Sequence, residues 1–453
     1  MKTVSTHKIR HLVVVPLAVA LLTIISPLTL HSQDLIHREA VARQFFDHLI
    51  AKEVDEMMEM FSETFLEQVS KEQITEIAQG LESQLGTFSH VSRAVHDSTD
   101  GHEIVTLVCK FGEQELGMRI TMDAAYKVSG FHITMPPPES YTPPPAWVDS
   151  TSFKEISLVI DCGDIELPAR LAMPKTDGVV PVVLLVHGSG PHDKDETIGP
   201  NKIFRDIAWG LAHHGIASLR YEKRTFRHSQ TLDMENFTVW DEAGRDAVVA
   251  LESVMGLDDI DSDRVYLLGH SLGGMIAPRI AREVPGLSGI ISMAGSPRYL
   301  YEIIPDQIAY LGSLQGKDAE VLDARVKELR AVAESLAAKR KDPHAEYDEE
   351  LFGMPPSYLA DMNRYDIGTL AAGLSQRILI LQGGRDYQVT MQDYKAWKEA
   401  LEDHPDTSFV LYPEFNHLFY AGEGAANPDE YFEQNNVDKM VIEDIADWIW
   451  QVD

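Results

Sequence analysis

The chain is 453 residues long with 44% hydrophobic residues, an apolar content that is enough for about two or three domains with cores of their own. It carries 71 acidic against 39 basic residues, a formal charge of −32, and no basic run follows the first dozen positions. This composition excludes a nucleic-acid-binding protein and disfavours polyanionic substrates, so we expect neutral or cationic small-molecule ligands.

Residues 1–32 have the pattern of an export signal. Three basic side chains precede an apolar stretch from Leu12 to Leu30, and polar residues follow from Ser32. This order is typical of a secretory signal peptide; because the stretch is long and its cleavage site poor, an uncleaved membrane anchor is the alternative. Both interpretations predict an exported protein, periplasmic or extracellular, and no later stretch is long and apolar enough to span a bilayer.

A small α+β domain is predicted over residues 33–134. Apolar residues recur at helical spacing between Leu35 and Gly80, which indicates two or three amphipathic helices. Three strand-like stretches then predict an antiparallel meander: Ile104 to Phe111, Leu116 to Met122 and Ala125 to Ile133. The outline resembles the cone-shaped nuclear-transport-factor-like domains, and a domain of unknown function with this pattern often precedes bacterial hydrolases.

A proline-rich segment over 135–150 follows. It holds six prolines, which neither donate backbone hydrogen bonds nor continue a helix, so we predict a stiff linker with few contacts across the domain boundary. The two cysteines of the chain, Cys109 and Cys162, lie on opposite sides of it. We therefore expect two buried free thiols, with a disulfide as the alternative in an oxidising compartment.

Short apolar runs alternate with helical segments over 151–453. The predicted strands are Glu155 to Ile160, Ile165 to Ala172, Val182 to Val186, Ile216 to Leu219, Val265 to Leu268, Gly289 to Ser292, Ile378 to Leu381 and Ser408 to Tyr412. Helical periodicity separates the later ones, which is typical of a parallel sheet covered on both faces. We predict an α/β fold with a mostly parallel eight-stranded sheet, helices on both faces and a helical lid.

One serine lies where a strand turns into a helix. Ser271 stands in the sequence Gly-His-Ser-Leu-Gly-Gly, directly after the apolar run 265–268 and before a helix-forming segment. Glycines on both sides of a serine are what a sharp strand-to-helix turn requires, because side chains there would collide. We predict that Ser271 is the catalytic nucleophile.

A serine hydroxyl needs an imidazole to take its proton and a carboxylate to orient that imidazole. Asp386 follows the strand 378–381 and His417 follows the strand 408–412, so both lie at strand ends, in the chain order Ser, Asp, His. We predict these three residues as the catalytic triad. Glu414 and Asp366 are weaker candidates for the acid, since the first is too near His417 and the second follows no strand.

The oxyanion formed during acyl transfer needs two backbone donors. Leu272, directly after the nucleophile, offers its N–H from a helix N-terminus. The loop after the strand 182–186 reads His-Gly-Ser-Gly-Pro, and the N–H of Ser189 is our prediction for the second donor, with Gly188 as the alternative.

Together these segments carry a family resemblance over about residues 153–450. The chain resembles the α/β-hydrolase superfamily, and within it the dienelactone-hydrolase and serine-aminopeptidase-like bacterial esterases, on the segments 187–191, 220–224, 269–274, 382–386 and 416–417. Dienelactone hydrolases proper use cysteine, so Ser271 implies esterase chemistry through an acyl-serine intermediate. Related esterases usually have Asp where Glu222 stands; we interpret the segment 220–224 as charged scaffolding beside the site.

A long insertion, about 297–374, separates the sixth strand of this region from Asp386. Its helical periodicity between Val321 and Ala338 and the position of lids in this fold predict a lid over the serine. A surface excursion that never touches substrate is the alternative. A roofed pocket favours esters of short acyl chains, and the charged stretches of the insertion disfavour a lipase-like lid.

Several activities remain compatible with the same triad. An aminopeptidase, a thioesterase or an acyltransferase would differ in the leaving group or acceptor, and an aminopeptidase would need a carboxylate for the substrate ammonium, such as Glu222, Asp193, Asp195 or an acid of the insertion. A non-catalytic envelope ligand-binding protein is the alternative from another class, and an intact triad argues against it. The sequence suggests no cofactor, no metal-ligand spacing and no particular oligomeric state.

Overall fold

The structure is a computed structural model that describes residues 30–451, apart from 100–101, 113, 135, 137–141, 229–231, 234–235, 315, 341, 343 and 348. Almost all of the predicted signal or anchor, 1–32, lies outside the described residues. Within the described part, no helix combines the length and apolarity that crossing a membrane requires.

The N-terminal part is a four-helix, four-stranded α+β unit. Its helices are α1 (Leu30–Ala51), α2 (Val54–Met60), α3 (Glu63–Leu66) and α4 (Lys71–Leu85), followed by β1 (Phe88–Thr99), β2 (His102–Phe111), β3 (Gln114–Met122) and β4 (Val128–Thr134). The strands form an antiparallel meander in the order β1-β2-β3-β4. Phe45, Phe46 and Leu49 of α1 pack with Leu107 and Ile120 of the sheet into a separate core. The predicted class is confirmed, with one more strand, β1, than the sequence indicated.

The larger part is built on an eight-stranded sheet. Its strands are β5 (Phe153–Asp161), β6 (Glu166–Pro174), β7 (Val180–Val186), β10 (Ala217–Tyr221), β11 (Ile260–His270), β12 (Gly289–Met293), β13 (Arg377–Gly383) and β14 (Thr407–Tyr412), and the pair β8 (Thr197–Ile198) and β9 (Asn201–Lys202) stands apart. The order is β14-β13-β12-β11-β7-β10-β6-β5. β6 runs antiparallel to both of its neighbours, and the other seven strands share one direction, so their carboxyl ends meet at one edge.

Helices cover both faces of this sheet, as predicted. They are α5 (Ile203–His213), α6 (Arg224–Arg227), α7 (Arg245–Met255), α8 (Leu272–Glu283), α9 (Leu300–Leu314), α10 (Ala319–Lys339), α11 (Pro356–Asn363), α12 (Ile367–Ala372), α13 (Met391–Ala400) and α14 (Lys439–Trp450). One core lies under α7 and α8, where Leu251 and Ile280 are fully buried. The other lies under α5 and α14, where Phe204 and Ile445 are fully buried. The two cores place every central strand between apolar layers.

The insertion at 297–374 comprises α9 to α12 and belongs to the main core. Tyr301, Leu336 and Leu359 are buried in the same cluster as the residues under α8. Asp361 of α11 accepts two hydrogen bonds from Arg279 of α8, at 2.9 and 3.1 Å. The insertion is therefore packed onto the helix behind Ser271 and shares its core.

The described end of the proline-rich segment is docked on the larger part. The carbonyl oxygen of Thr142 accepts from Arg205 at 2.9 Å, and that of Pro143 accepts from Asn436 at 3.2 Å. Trp147 packs against the core of the larger part beside Gly210. Prolines donate no backbone hydrogen bonds, and the carbonyls of this segment accept from Arg205 and Asn436.

The two cysteines lie in different parts of the molecule, and both thiols are free. Cys109 is buried in β2, and Cys162 is half-buried in the turn between β5 and β6. Burial raises the pKa of each thiol to about 12, so neither is a thiolate at neutral pH.

Candidate active site

Ser271 occupies a strained turn between β11 and α8. Its backbone has φ 52° and ψ −114°, a left-handed conformation that non-glycine residues rarely adopt. Close packing imposes the glycines around it: a Cβ on Gly269 would lie 2.2 Å from the carbonyl of Gly273, and a Cβ on Gly273 would lie 2.1 Å from the carbonyl oxygen of Val186. The predicted reason for these glycines, a lack of space, is what the structure shows.

Asp386 and His417 are in direct contact at the carboxyl edge of the sheet. Asp386 follows β13, His417 follows β14, and Nδ1 of His417 donates to Oδ2 of Asp386 at 2.7 Å. The other oxygen of Asp386 accepts from the N–H groups of Gln388 and Val389 at 2.8 and 2.9 Å. Both side chains are almost fully buried. The carboxylate is thus fixed, and Nε2 is the imidazole nitrogen left for another partner.

The loop that carries His417 is held by Glu430, a side chain that the sequence did not single out. Glu430, in a short 3₁₀ turn (Pro428–Phe432), pairs with Arg385 and accepts from Asn416 at 2.8 Å. Asn416 in turn accepts from the N–H groups of Leu418 and Tyr420. Glu430 therefore holds both Arg385, which is next to Asp386, and Asn416, which is next to His417.

Ser271 directly follows β11 and His417 follows β14, so both lie at the carboxyl edge of the sheet. No hydrogen bond joins the Ser271 hydroxyl to His417 among the described residues, although the ring of the adjacent His270 lies 4.9 Å from the His417 ring, measured between centroids. In unliganded serine hydrolases this hydrogen bond is often long and tightens when substrate binds. The other acid candidates are engaged elsewhere: Asp366 caps α12 through the N–H of Thr369, and Glu414 is exposed.

The loop after β7 leaves one amide unoccupied beside Ser271. Gly188 N–H donates to Glu196 at 2.7 Å, and Gly190 N–H donates to Glu242 at 2.8 Å. Among the described residues, Ser189 N–H has no acceptor. A Cβ on Gly188 would lie 3.2 Å from Cβ of Ser271, so this loop touches the nucleophile. The geometry favours Ser189 over Gly188 as an oxyanion donor, together with Leu272 at the start of α8.

A buried lysine fixes the carbonyls of the same loop. Nζ of Lys223 donates to the carbonyl oxygens of Gly188 and Gly190 at 2.6 and 2.9 Å, and it pairs with Glu242 at 2.8 Å. Burial opposes ionisation of Glu242, but Lys223 outweighs it and holds the pKa of that carboxyl below its usual value. Tyr358 of the insertion donates to the second oxygen of Glu242. Lys223, within the segment 220–224, thus supports the loop 187–191 directly through its carbonyl oxygens.

Comparison with known proteins matches one family to each of the two parts of the chain. Residues 179–423 match the family described as serine aminopeptidase, S33, and residues 42–131 match a family described as a protein of unknown function (DUF3887). The chain is 36% identical over 405 residues to esterase EstD from Thermotoga maritima, covering 89% of this chain and 93% of that protein.

Two solved structures match about two thirds of this chain. Est1E from Butyrivibrio proteoclasticus matches with a TM-score of 0.42 and 18% identity, covering 65% of this chain and 97% of that chain. A putative dienelactone hydrolase from Klebsiella pneumoniae matches with a TM-score of 0.39 and 18% identity, covering 66% and 99%.

Proposed function

The chain belongs to the serine aminopeptidase S33 family of α/β-hydrolases, and from that premise we propose that it hydrolyses carboxylic esters through an acyl-serine intermediate. The observation that carries the proposal is the buried hydrogen bond between His417 and Asp386. It lies at the carboxyl edge of the sheet, where Ser271 directly follows β11. The 36% identity between the chain and esterase EstD supports an ester as the bond that is cleaved.

In the proposed mechanism, Nε2 of His417 takes the proton of the Ser271 hydroxyl as Oγ attacks the ester carbonyl. Asp386 holds the imidazole by its Nδ1–H and stabilises the imidazolium that forms. The N–H groups of Leu272 and Ser189 stabilise the negative charge on the carbonyl oxygen in the tetrahedral intermediate. The imidazolium then protonates the departing alcohol, and a water molecule activated by the same imidazole hydrolyses the acyl-serine.

The acidic side chains that the sequence offered as ligands for a substrate ammonium favour an ester over an aminoacyl substrate. An aminopeptidase needs a carboxylate to bind the substrate ammonium, yet Asp195 is paired with Arg220 and Lys202 at 2.8 and 3.1 Å. Glu222 lies 3.3 Å from Lys194. Asp193 accepts from Thr197.

Two carboxylates of the insertion are engaged in the same way. Asp306 pairs with Arg298 and Arg330 at 2.9 and 3.1 Å, and Glu302 pairs with Arg340 at 2.7 Å. An ammonium group would have to displace an arginine from any of these acids. These ion pairs support ester hydrolysis over aminopeptidase action.

The deciding experiment is labelling of the purified protein with a fluorophosphonate, alongside ester, thioester and aminoacyl-amide substrates. We expect labelling at Ser271 and the highest kcat/KM with esters. The absence of labelling would favour a non-catalytic ligand-binding protein. Faster turnover of thioesters or aminoacyl amides would replace ester hydrolysis with the corresponding activity.

We further propose that the protein is exported to the periplasm or outside the cell, with cleavage or membrane retention of the N-terminal segment. The basic and apolar pattern of residues 1–32 supports export. Cell fractionation followed by N-terminal sequencing tests this. Recovery of full-length protein in the cytosolic fraction would contradict it.

A further inference from the structure

Glu196 is a buried carboxylate for which the triad has no use. It lies between β8 and the loop 187–191, which we call the oxyanion loop because it carries Ser189. Its side chain is fully buried, and its backbone φ is 47°, in the left-handed region. A bulky residue is held in that conformation only where surrounding contacts require it. The N–H of Glu196 donates to the carbonyl of Asp193 at 3.0 Å, which closes the turn that directs the side chain inward.

The carboxylate of Glu196 contacts two different loops of the site. Oε1 accepts the N–H of Gly188 at 2.7 Å, directly before Ser189. Oε2 lies 3.1 Å from Nδ1 of His270, the residue directly before Ser271. One side chain therefore bridges the oxyanion loop and the turn that carries the nucleophile.

His270 extends this bridge to the loop of the catalytic base. Its Nε2–H donates to the carbonyl oxygen of His417 at 3.1 Å. The chain of contacts runs from Gly188 through Glu196 and His270 to His417, and it joins three segments that are far apart in the sequence. Relative movement of Ser189, Ser271 and His417 would have to break one of these contacts.

Each member of the bridge stabilises the charged form of the other. Burial alone would raise the pKa of Glu196, but His270 outweighs it and lowers that pKa to about 2. Burial alone would lower the pKa of His270, but Glu196 outweighs it and the pKa ends above its usual value. His187, His192 and Asp386 are the other titratable groups that act on the pair. Oε2 and Nδ1 form an ion pair without the angle of a hydrogen bond, so their attraction is Coulombic and is strengthened by burial.

We propose that Glu196 and His270 are positioning residues that hold the oxyanion donor Ser189 and the base His417 in register with Ser271. The proposal rests on the ester hydrolysis proposed above. Displacement of a reacting group by about 1 Å costs on the order of 10²-fold in rate. Loss of either member is therefore expected to reduce turnover, although neither residue takes part in the bond changes.

The test uses Glu196→Gln, His270→Gln and the double variant in the full chain. Glutamine at 196 keeps an acceptor for Gly188, and glutamine at 270 keeps a donor for His417, so each variant removes mainly the charged contact. We expect kcat for an activated ester to fall by about 10-fold to 10²-fold with KM changed by less than about twofold. The double variant is expected to be no worse than the poorer single variant, because the pair acts as a unit.

Asp246→Asn is the matched control. Asp246 is equally buried and accepts two hydrogen bonds from Arg224, at 2.6 and 2.8 Å, but it contacts none of the three loops. It is expected to lower the melting temperature and leave kcat within about twofold of the original chain. A fall in kcat as large as that of Glu196→Gln would reduce the bridge to a general stabilising ion pair and overturn the proposal.

Two further measurements separate positioning from stability. The rate of fluorophosphonate labelling of Ser271 should fall with kcat in both single variants, and the alkaline decline of kcat that accompanies deprotonation of His270 should disappear in His270→Gln. Unchanged labelling and kcat in folded variants would overturn the proposal. If the original chain itself is not labelled, ester hydrolysis fails and the positioning role fails with it. If Glu196→Gln does not fold, His270→Gln decides the question from the other end of the bridge.

Discussion

Ser271 holds a conformation that costs roughly 1–3 kcal/mol, and the surrounding backbone imposes it. Its N–H donates to the carbonyl of Met293 at 2.9 Å, at the end of β12. The contact ties the nucleophile to a neighbouring strand as well as to its own. The hydroxyl is therefore presented by rigid elements on both sides, as a preorganised site requires.

Replacement of the three triad candidates should abolish most of the activity without unfolding the protein. Ser271→Ala, Asp386→Asn and His417→Ala are each expected to lower kcat by about 10³-fold or more, and their effects should not add, because the three groups act together. Steady-state kinetics and thermal melting check this. Asp366→Asn and Glu414→Gln are the controls. An active Asp386→Asn with an inactive control would assign the acid elsewhere.

His187 makes the fold sensitive to mild acid. Burial lowers its pKa to about 3, whereas the unfolded value is about 6.5. Between about pH 6.5 and pH 3, His187 is therefore protonated in the unfolded chain but not in the folded chain. Because of this difference, the free energy of unfolding falls as the pH drops through this range. The slope is up to about 1.4 kcal/mol per pH unit.

Urea denaturation between pH 7.5 and pH 5 measures this dependence. His187→Asn keeps a donor for the carbonyl of Asp193, which accepts from the imidazole at 3.0 Å, and should show the shallower slope. Asp47, whose pKa burial raises to about 6, acts in the opposite direction but contributes equally to both proteins. Identical slopes would mean that His187 is not the group responsible.

Residue identity alone predicted the chemical groups but not their supports. Ser271, Asp386 and His417 could be chosen because each follows an apolar run that reads as a strand. Glu196 and Glu242 carry no such local signal: their acceptor oxygens meet Gly188 and Gly190 across 8 and 52 positions of the chain. Such roles depend on which loops fold together, and a single sequence does not encode that as a pattern.

At the level of elements, the close approach of α8 to β7 is the strictest requirement of the site. Gly273→Ala should prevent native packing, because its Cβ would lie 2.1 Å from the carbonyl oxygen of Val186 and backbone cannot yield as a flexible side chain does. We expect a loss of about 4 kcal/mol or more, or insoluble protein. Gly256→Ala, whose Cβ would meet only ordinary contacts beyond 3.6 Å, is the control. Similar melting temperatures for both variants would contradict this account.

The insertion should limit the size of the acyl group. Tyr310 of α9 stacks on Tyr387, next to Asp386, with ring centroids 5.2 Å apart, and donates to the carbonyl of Ala426 at 2.7 Å. Helix α9, tied down in this way, does not swing away from the loop of Asp386 readily. We expect kcat/KM to be highest for acetyl or butyryl esters and at least about tenfold lower for palmitoyl esters.

An acyl series from acetyl to palmitoyl measures this preference. Tyr310→Ala, which releases α9 from the loop of Asp386, should raise the ratio of long-chain to short-chain turnover. Maximal activity on long chains in the unaltered protein would show that the insertion does not roof the serine.

Elements were predictable where hydrophobic pattern and turn signals coincided. The parallel strands β7, β12, β13 and β14 lie within one or two residues of their predicted bounds, since parallel strands between helical layers are short apolar runs. The strand β1 was missed because Ser89, His90, Ser92 and Arg93 interrupt its pattern. The strand β11 begins five residues earlier than predicted, since its polar start at Asp261 to Arg264 pairs little with β7.

For the whole molecule, the point of truncation should decide how well the larger part folds alone. A fragment beginning at Thr142 keeps the contacts with Arg205 and the packing of Trp147; one beginning at Phe153 loses both. We expect both fragments to hydrolyse a small activated ester, with the shorter one less stable by about 2 kcal/mol. Thermal melting and ester kinetics check this.

Two contacts make the outcome informative about the N-terminal part. Arg227 contacts His90, and α1 lies against the 3₁₀ turn that carries Glu430. A fragment that melts like the full chain but turns over more slowly would implicate α1 in holding the loops of Asp386 and His417. An insoluble fragment beginning at Thr142 would show that the small domain completes the fold.

The open edge of the eight-stranded sheet has a consequence for handling the protein. The edge strand β5 exposes Val159, at 60% of its full area, between the charged residues Lys154 and Asp161. Unpaired edge strands invite pairing with a second chain, and mutual repulsion between copies with a formal charge of −32 opposes it. That repulsion vanishes near the isoelectric point of about 4.8. Concentrated solutions should therefore stay clear in weakly alkaline, low-salt buffer. On acidification they should turn turbid, because copies of the chain then pair through the edge strand β5.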